Sequence, residues 1–180
     1  MPLTLIIGPM KSGKTLELFK IAKNYKNTKH NIGFYDPTIN TRDKNITSRA
    51  GISIASKKIK RLADIKNPPN IIVIDEIHMF DPKDILQIDK WLKDDHNVYL
   101  SGLDLDYRGK TQPTIIKILE LKPDNIIIKK AICDVCKSSD AIYTQILKDN
   151  IPVKKGLPSV VPENNLMLFQ ARCRRCFINK

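Results

Sequence analysis

The chain reads as an α/β protein: a mostly parallel sheet flanked by helices, followed by a small appendage of different character. Three stretches carry that reading. The apolar run Leu3 to Ile7 leads into Gly8-Pro9-Met10-Lys11-Ser12-Gly13-Lys14-Thr15, and an amphipathic segment with Leu18, Ile21, Ala22 and Tyr25 on one face follows. Strand, G-x-x-x-x-G-K-T and helix in that order predict a P-loop-type sheet. Ile71-Ile72-Val73-Ile74 is β-branched throughout and ends in Asp75-Glu76; such a run suits a strand covered on both faces, as in a parallel sheet. The four cysteines all lie in the last third, as the C-x-x-C pairs Cys133/Cys136 and Cys173/Cys176. These boundaries predict a nucleotide-binding α/β domain over 1–131 and a metal-binding domain over 132–180.

The elements follow in order. Residues 3–8 and 13–26 give the first strand and helix. Asn31 to Asp36 reads as a second strand closed by Pro37. The polar segment from Pro37 to Gly51 reads as a loop carrying Arg42 and Arg49, and Ile52 to Ile54 as a short strand. Lys57 to Lys66 has a helical pattern, with Ile59, Leu62, Ala63 and Ile65 inward, broken by Asn67-Pro68-Pro69-Asn70. After the strand at 71–74, Asp81 caps a helix with Pro82 at its first position, and Ile85, Ile88, Trp91 and Leu92 form its buried stripe. His96 to Ser101 predicts another strand, Thr114 to Leu121 a short helix, and Asn125 to Ile132 a strand. Beyond Cys133, Ala141 to Leu147 is strand-like and Ile151 to Pro162 is proline-rich.

Composition narrows the function. At 42% apolar and 28% charged residues the chain has the balance of a soluble globular protein. No run approaches the roughly 18 apolar residues of a membrane span, and residues 1–7 lack the pattern of a signal peptide. The expectation is therefore cytoplasmic, with no membrane partner. A net charge of +12 suits an anionic ligand. It also suits nucleic acid, although the lysines are scattered rather than clustered; that partner is possible but not favoured.

The chemistry lies at the strand ends. Gly8 to Thr15 predicts a phosphate cradle, because glycines let successive backbone N–H groups turn inward around an anion and the helix start adds further donors. Lys14 would reach the β- and γ-phosphates of ATP, and the Thr15 hydroxyl would sit on Mg²⁺. Asp75 would hold the same ion, and Glu76 is the candidate general base for an acceptor hydroxyl. Leu103 and Tyr107 follow a strand's C-terminal end, where they line a pocket or simply pack. In the cysteine pairs, a two-residue gap lets both thiolates turn onto one ion, and two such knuckles complete a tetrahedron around a structural Zn²⁺. Residues 137–172, 36 in all, separate them. A dithiol redox site and unrelated thiols are the alternatives. Arg172, Arg174 and Arg175 crowd the last knuckle and keep a nucleic-acid role open.

Taken together, Gly8-Pro9-Met10-x-Ser12-Gly13-Lys14-Thr15, Asn40-Thr41-Arg42, Asp75-Glu76 with Phe80, Gly102-Leu103-Asp104 with Asp106-Tyr107-Arg108-Gly109, the spaced Ala141 and Thr144, and Cys173-Arg174-Arg175-Cys176-Phe177 resemble the type II, zinc-containing thymidine kinase family across nearly the whole chain. The resemblance implies transfer of the ATP γ-phosphoryl group to the 5′-hydroxyl of thymidine, a zinc-bearing lasso domain and a homotetramer. It implies that Glu76 is the base, that Arg42 and Lys14 act at the phosphates, and that Met10, Asn40, Leu103, Tyr107 and Phe169 belong to the nucleoside pocket. The chain departs from the family at Asn40, at His78 and Met79, at Thr111-Gln112-Pro113, at Gln145 and Ile146, and in the lasso, with its single Gly156 and Phe169 in place of a tyrosine. Two alternatives follow: a related kinase acting on another nucleoside, and a P-loop ATPase or nucleic-acid-binding module.

Overall fold

The computed structural model describes residues 2–25, 28–40, 45–48, 51–163 and 166–178. Thr41, Arg42 and Arg49, and the side chain of Ala22, lie outside the described residues. The first half comprises β1 (Leu3–Ile7), α1 (Lys14–Tyr25), β2 (Ile32–Pro37), β3 (Ile46–Thr47), β4 (Ser53–Ile54), β5 (Lys57–Ile59) and β6 (Ile71–Ile74). Then come α2 (Leu86–Lys93), β7 (Asn97–Gly102), α3 (Pro113–Glu120), β8 (Asn125–Ile128), β9 (Tyr143–Lys148), β10 (Ile151–Pro152) and β11 (Leu168–Arg172).

Six strands form one sheet in the order β5-β2-β6-β7-β1-β8, and every pairing in it is parallel. Strands β1 and β6 are buried along their whole length, which explains their unbroken apolar sequences. Alternation along each strand splits the core between two faces. Leu3, Leu5, Ile7, Ile72, Ile74, Val98 and Leu100 pack against Ile88 and Trp91 of α2 and Ile115 and Ile118 of α3. Ile6, Ile71, Val73 and Tyr99 face the other way, onto Leu18, Ile21 and Tyr25 of α1. Asp81 accepts a hydrogen bond from the Lys83 amide at 2.8 Å, capping the 3₁₀ turn that leads into α2.

The stretch 57–66 corrects the predicted helix. Lys57–Ile59 is an edge strand paired with β2, and Leu62–Asp64 is a single 3₁₀ turn. Ile59, Leu62 and Ile65 are buried as expected, but Ala63 is exposed. A spacing of three apolar residues serves a strand followed by a tight turn as well as it serves a helix. The expected short strand at 52–54 is present as β4, and it pairs antiparallel with an unexpected one, β3, in the segment predicted as loop. The last third forms its own antiparallel sheet, β10-β9-β11, with Ala131, Cys133, Ala141, Ala171 and Cys173 packed around the cysteine cluster.

Candidate active site

Parallel pairing brings the C-terminal ends of β1, β6 and β7 side by side, so Gly8, Asp75 and Leu103 start adjacent loops. The loop after β1 must begin with glycine. Gly8 has φ +145°, and a Cβ there would lie 2.3 Å from the Lys129 carbonyl oxygen, well inside contact distance. Gly13 closes the loop at φ +80°, a conformation that L side chains rarely adopt. Lys14 folds across its own loop, its Nζ donating to the Pro9 carbonyl at 2.7 Å. Among the described residues the Ser12 hydroxyl is buried without a hydrogen-bond partner, as a donor held ready for an anion would be.

Asp75 is the electrostatic centre. Thr15 Oγ1 donates to its Oδ2 at 2.9 Å, the Glu76 amide donates to its Oδ1 at 2.9 Å, and Ser101 Oγ donates to the same oxygen. Burial, then the charge of Glu76, pushes its carboxyl above the usual range, while the Ser101 and Thr15 hydrogen bonds pull it back. Two oxygen donors from separate elements thus converge, and an all-oxygen set of this kind fits a hard divalent cation such as Mg²⁺. Glu76 itself sits in the left-handed region, at φ 51° and ψ 39°. That costs about 1–2 kcal/mol for a residue with a Cβ and turns the chain sharply off the sheet.

One cavity of about 180 Å³ brings Met10 to Leu16, Asn40, Thr47, Ser48, Glu76, Met79, Leu103, Val161, Glu163 and Phe169 together. Of the predicted site residues, Met10, Lys11, Ser12, Gly13, Lys14, Thr15, Asn40, Glu76, Leu103 and Phe169 line it. Gly8 and Pro9 shape the loop beneath, and Asp75 lies behind Thr15. Arg42 lies outside the described residues. Tyr107 is buried, its ring clustered with Phe169, Met10 and Val161 of the cavity lining and its hydroxyl engaged with the backbone of Leu157. Thr47, Ser48, Val161 and Glu163 were not singled out by sequence reasoning, because they reach the cavity only through tertiary packing. Ser101 had a signal, since it lies near the C-terminal end of a predicted strand, which the structure pairs with β1, opposite Ile6.

The phosphate loop is docked onto the C-terminal sheet. The Met10 amide donates to Thr144 Oγ1 at 3.0 Å, and Lys11 Nζ pairs with both Asp134 oxygens at 2.9 and 2.8 Å. Asp134 also accepts from the Ala171 amide at 2.7 Å. Burial raises the Asp134 carboxyl, but Lys11 and the Ala171 amide outweigh it and hold the group below its usual range. Asp134 stands inside the first cysteine pair, so one side chain joins the phosphate loop, β11 and the knuckle.

The four cysteine sulfurs lie within 4.8 Å of one another, Cys136 and Cys173 at 3.6 Å. Ligands about 2.3 Å from a tetrahedral zinc are about 3.8 Å apart, so the cluster could hold such an ion. Its thiols perturb one another: a hydrogen bond with Ser138 lowers Cys136 to about 6, while one with Cys173 pushes Cys176 up to about 12.

The parallel sheet, the glycine-bracketed loop after β1 and the cysteine cluster define the class: a P-loop-type α/β protein with an appendage whose four clustered cysteines could hold a metal. Comparison with known proteins narrows it. The thymidine kinase family model matches residues 1–177. A thymidine kinase of Pseudothermotoga lettingae is 32% identical over 97% of this chain and 94% of its own length. One from Chloroflexus aurantiacus is 29% identical over 96% and 92%, and one from Mycoplasmoides gallisepticum is 33% identical over 94% and 77%. The chain belongs to the thymidine kinase family. Among the described residues, no helix is long and apolar enough to cross a membrane.

Proposed function

We propose that this chain transfers the γ-phosphoryl group of ATP to the 5′-hydroxyl of thymidine. The observation that carries the reading is that Lys14 and Glu76 line one cavity together with Leu103 and Phe169: a phosphate-binding cation, a carboxylate base and apolar groups suited to a base share one space. The phosphate loop's amides and the Ser12 hydroxyl would bind the phosphate oxygens, and Lys14 would exchange the Pro9 carbonyl for the β- and γ-phosphates. Thr15 and Asp75 would hold Mg²⁺, which when bound neutralises charge on the phosphates. Glu76 accepts the proton of the 5′-hydroxyl as the new O–P bond forms, and the bond to the β-phosphate oxygen breaks to release ADP. Arg42 keeps the phosphate role that the family resemblance implies.

The same reading makes the cysteine cluster a structural Zn²⁺ site, treats 1–131 and 132–180 as separate domains, and carries the homotetramer and cytoplasmic location of the resemblance. A second reading, another nucleoside, is favoured by one observation: Glu163 lines the same cavity as Phe169, and an acidic residue there suits a base with a different donor pattern.

The test is conversion of thymidine to its monophosphate by the purified protein with ATP and Mg²⁺, beside a panel of other nucleosides. A general base is worth about 10²- to 10⁴-fold, so Glu76→Gln is expected to lower kcat by at least about 100-fold. Undiminished turnover in the variant overturns Glu76 as base, and no product from any nucleoside overturns the kinase reading.

A further inference from the structure

One ion pair fastens the loop after β1 to the first cysteine pair, and both of its members are constrained on their own side. Lys11 stands at φ 63° between Met10 and Ser12, in the left-handed region that a residue with a Cβ enters at a cost. Its Nζ reaches both Asp134 oxygens, at 2.9 and 2.8 Å. The hydroxyl of the adjacent Ser12 is buried without a partner among the described residues. Asp134 directly follows Cys133 and is bonded twice to one residue of β11. Its amide donates to the Ala171 carbonyl at 2.8 Å, and its Oδ2 accepts from the Ala171 amide at 2.7 Å. Ala171 is fully buried two positions before Cys173, and the Cys173 amide donates to Cys133 Sγ at 3.4 Å. The contacts that bring the two cysteine pairs together therefore also place Asp134.

We propose that Lys11 and Asp134 are positioning residues that form a latch between the cysteine cluster and the phosphate loop, so that a metal held by the four sulfurs and a nucleotide held by the loop each favour the other. The proposal deepens the function proposed above and rests on reading the loop as the nucleotide site and the cluster as the zinc site. The latch acts through the main chain. A fixed Asp134 holds the Lys11 side chain, and that side chain holds the backbone at Met10 to Ser12 in the turned conformation that lets successive amides face an anion. A loop already in that shape loses less freedom when the anion binds. Linkage runs both ways: a nucleotide that fixes the loop steadies Asp134, and with it the first knuckle. The Met10 amide, bonded to Thr144 Oγ1 at 3.0 Å, is a second tie to the C-terminal sheet. Cutting the latch therefore reduces the coupling without abolishing it. The two side chains are 34% and 24% exposed, so solvent screens the pair and its effect is modest.

Two measurements on the zinc-loaded full chain test the latch without turnover. Lys11→Met keeps the length of the side chain and removes its charge, and Asp134→Asn keeps an oxygen for the Ala171 amide. Calorimetric titration with ADP and Mg²⁺ is expected to give a Kd about threefold higher in each variant. The double variant is expected to lose about threefold again, not the roughly ninefold of two independent effects. Zinc is then withdrawn to equilibrium with a zinc-selective chelator, with and without saturating ADP and Mg²⁺. In the parent chain the nucleotide is expected to raise the chelator concentration that removes half the zinc by about threefold or more, and in Lys11→Met by less than half that factor. A residue that served the fold alone would not move this difference. Should Asp134→Asn fail to fold around zinc, the chelator shift in Lys11→Met still decides. Weaker ADP binding in Lys11→Met with unchanged or tighter binding in Asp134→Asn overturns the latch, because Lys11 would then serve the phosphates directly. An equal chelator shift in the parent and Lys11→Met overturns the coupling alone. A parent chain that binds no ADP, or holds no zinc, overturns the underlying reading of that site and the coupling with it.

Discussion

His78 offers a prediction whose size follows from the structure. Its side chain is 2% exposed, in the 3₁₀ turn after Glu76, and its Nδ1 accepts a hydrogen bond from the Leu103 amide at 3.2 Å. A ring nitrogen that accepts carries no proton, so the neutral ring holds its hydrogen on Nε2. Glu76 Oε2 lies 3.5 Å from the same nitrogen; with the ring neutral the two atoms are both acceptors, and the contact is not an ion pair. Burial first, then the charge of Lys14, lowers the imidazole to about 3, with Asp75 pulling the other way. The unfolded chain binds this proton near 6.5 and the folded chain does not. The stability contribution is thus fully present above pH 6.5 and is lost as pH falls from 6.5 towards 3, by about 1.4 kcal/mol per pH unit. Between pH 7.5 and 5.5 the loss due to His78 alone is on the order of 1 kcal/mol. His78→Asn keeps an acceptor near the Leu103 amide and removes the titration. Urea unfolding at both pH values, with metal content checked in each sample, is expected to show the parent chain losing on the order of 1 kcal/mol more than the variant. Equal losses would refute the reasoning, because they would mean that the folded ring takes up its proton as readily as the unfolded one.

Two further outcomes are expected. Asp36 is 1% exposed at the end of β2 and is bonded by Ser56 Oγ at 2.9 Å and by Lys58. Ser56 in turn accepts the Ile46 amide at 3.1 Å, and Lys58 donates to the Asn40 carbonyl at 2.7 Å. One buried carboxylate therefore anchors both Asn40 and the strand that carries Thr47. Asp36→Asn is expected to cost about 2–3 kcal/mol, less than a fully buried pair because the Lys58 side chain is 26% exposed and can rehydrate. It should also lower kcat/KM severalfold; urea unfolding and steady-state kinetics check the two effects, and parental values in both would discard this anchor. Cys173→Ala is expected to abolish stoichiometric zinc measured by atomic absorption and to lower Tm by on the order of 10 °C. ATP binding should weaken with it, since Asp134 within the first knuckle holds Lys11 of the phosphate loop.

Legibility followed the range of the interaction. The phosphate loop, the buried strands and the cysteine knuckles could be read because each is written within a few consecutive residues: glycines that release the backbone, a β-branched run, thiols one turn apart. The stretch 57–66 was misread because the spacing of Ile59, Leu62 and Ile65 satisfies two structures, and pairing with β2 chose between them. An aromatic at a strand end suits lining and packing alike, and the bonds of the Tyr107 hydroxyl to the backbone of Leu157, 50 positions away, could not be read from the sequence. Lys11 likewise meets a partner 123 positions along the chain, and no local pattern encodes such a pair.

By itself, then, the order of residues determined which groups can bind phosphate, take a proton or hold a metal, since those capacities belong to the side chains and to short backbone turns. Which of them share a cavity, and which merely hold its walls in place, was decided by the tertiary structure, because parallel sheet packing and the docking of the C-terminal sheet set distances that no run of neighbours in sequence contains.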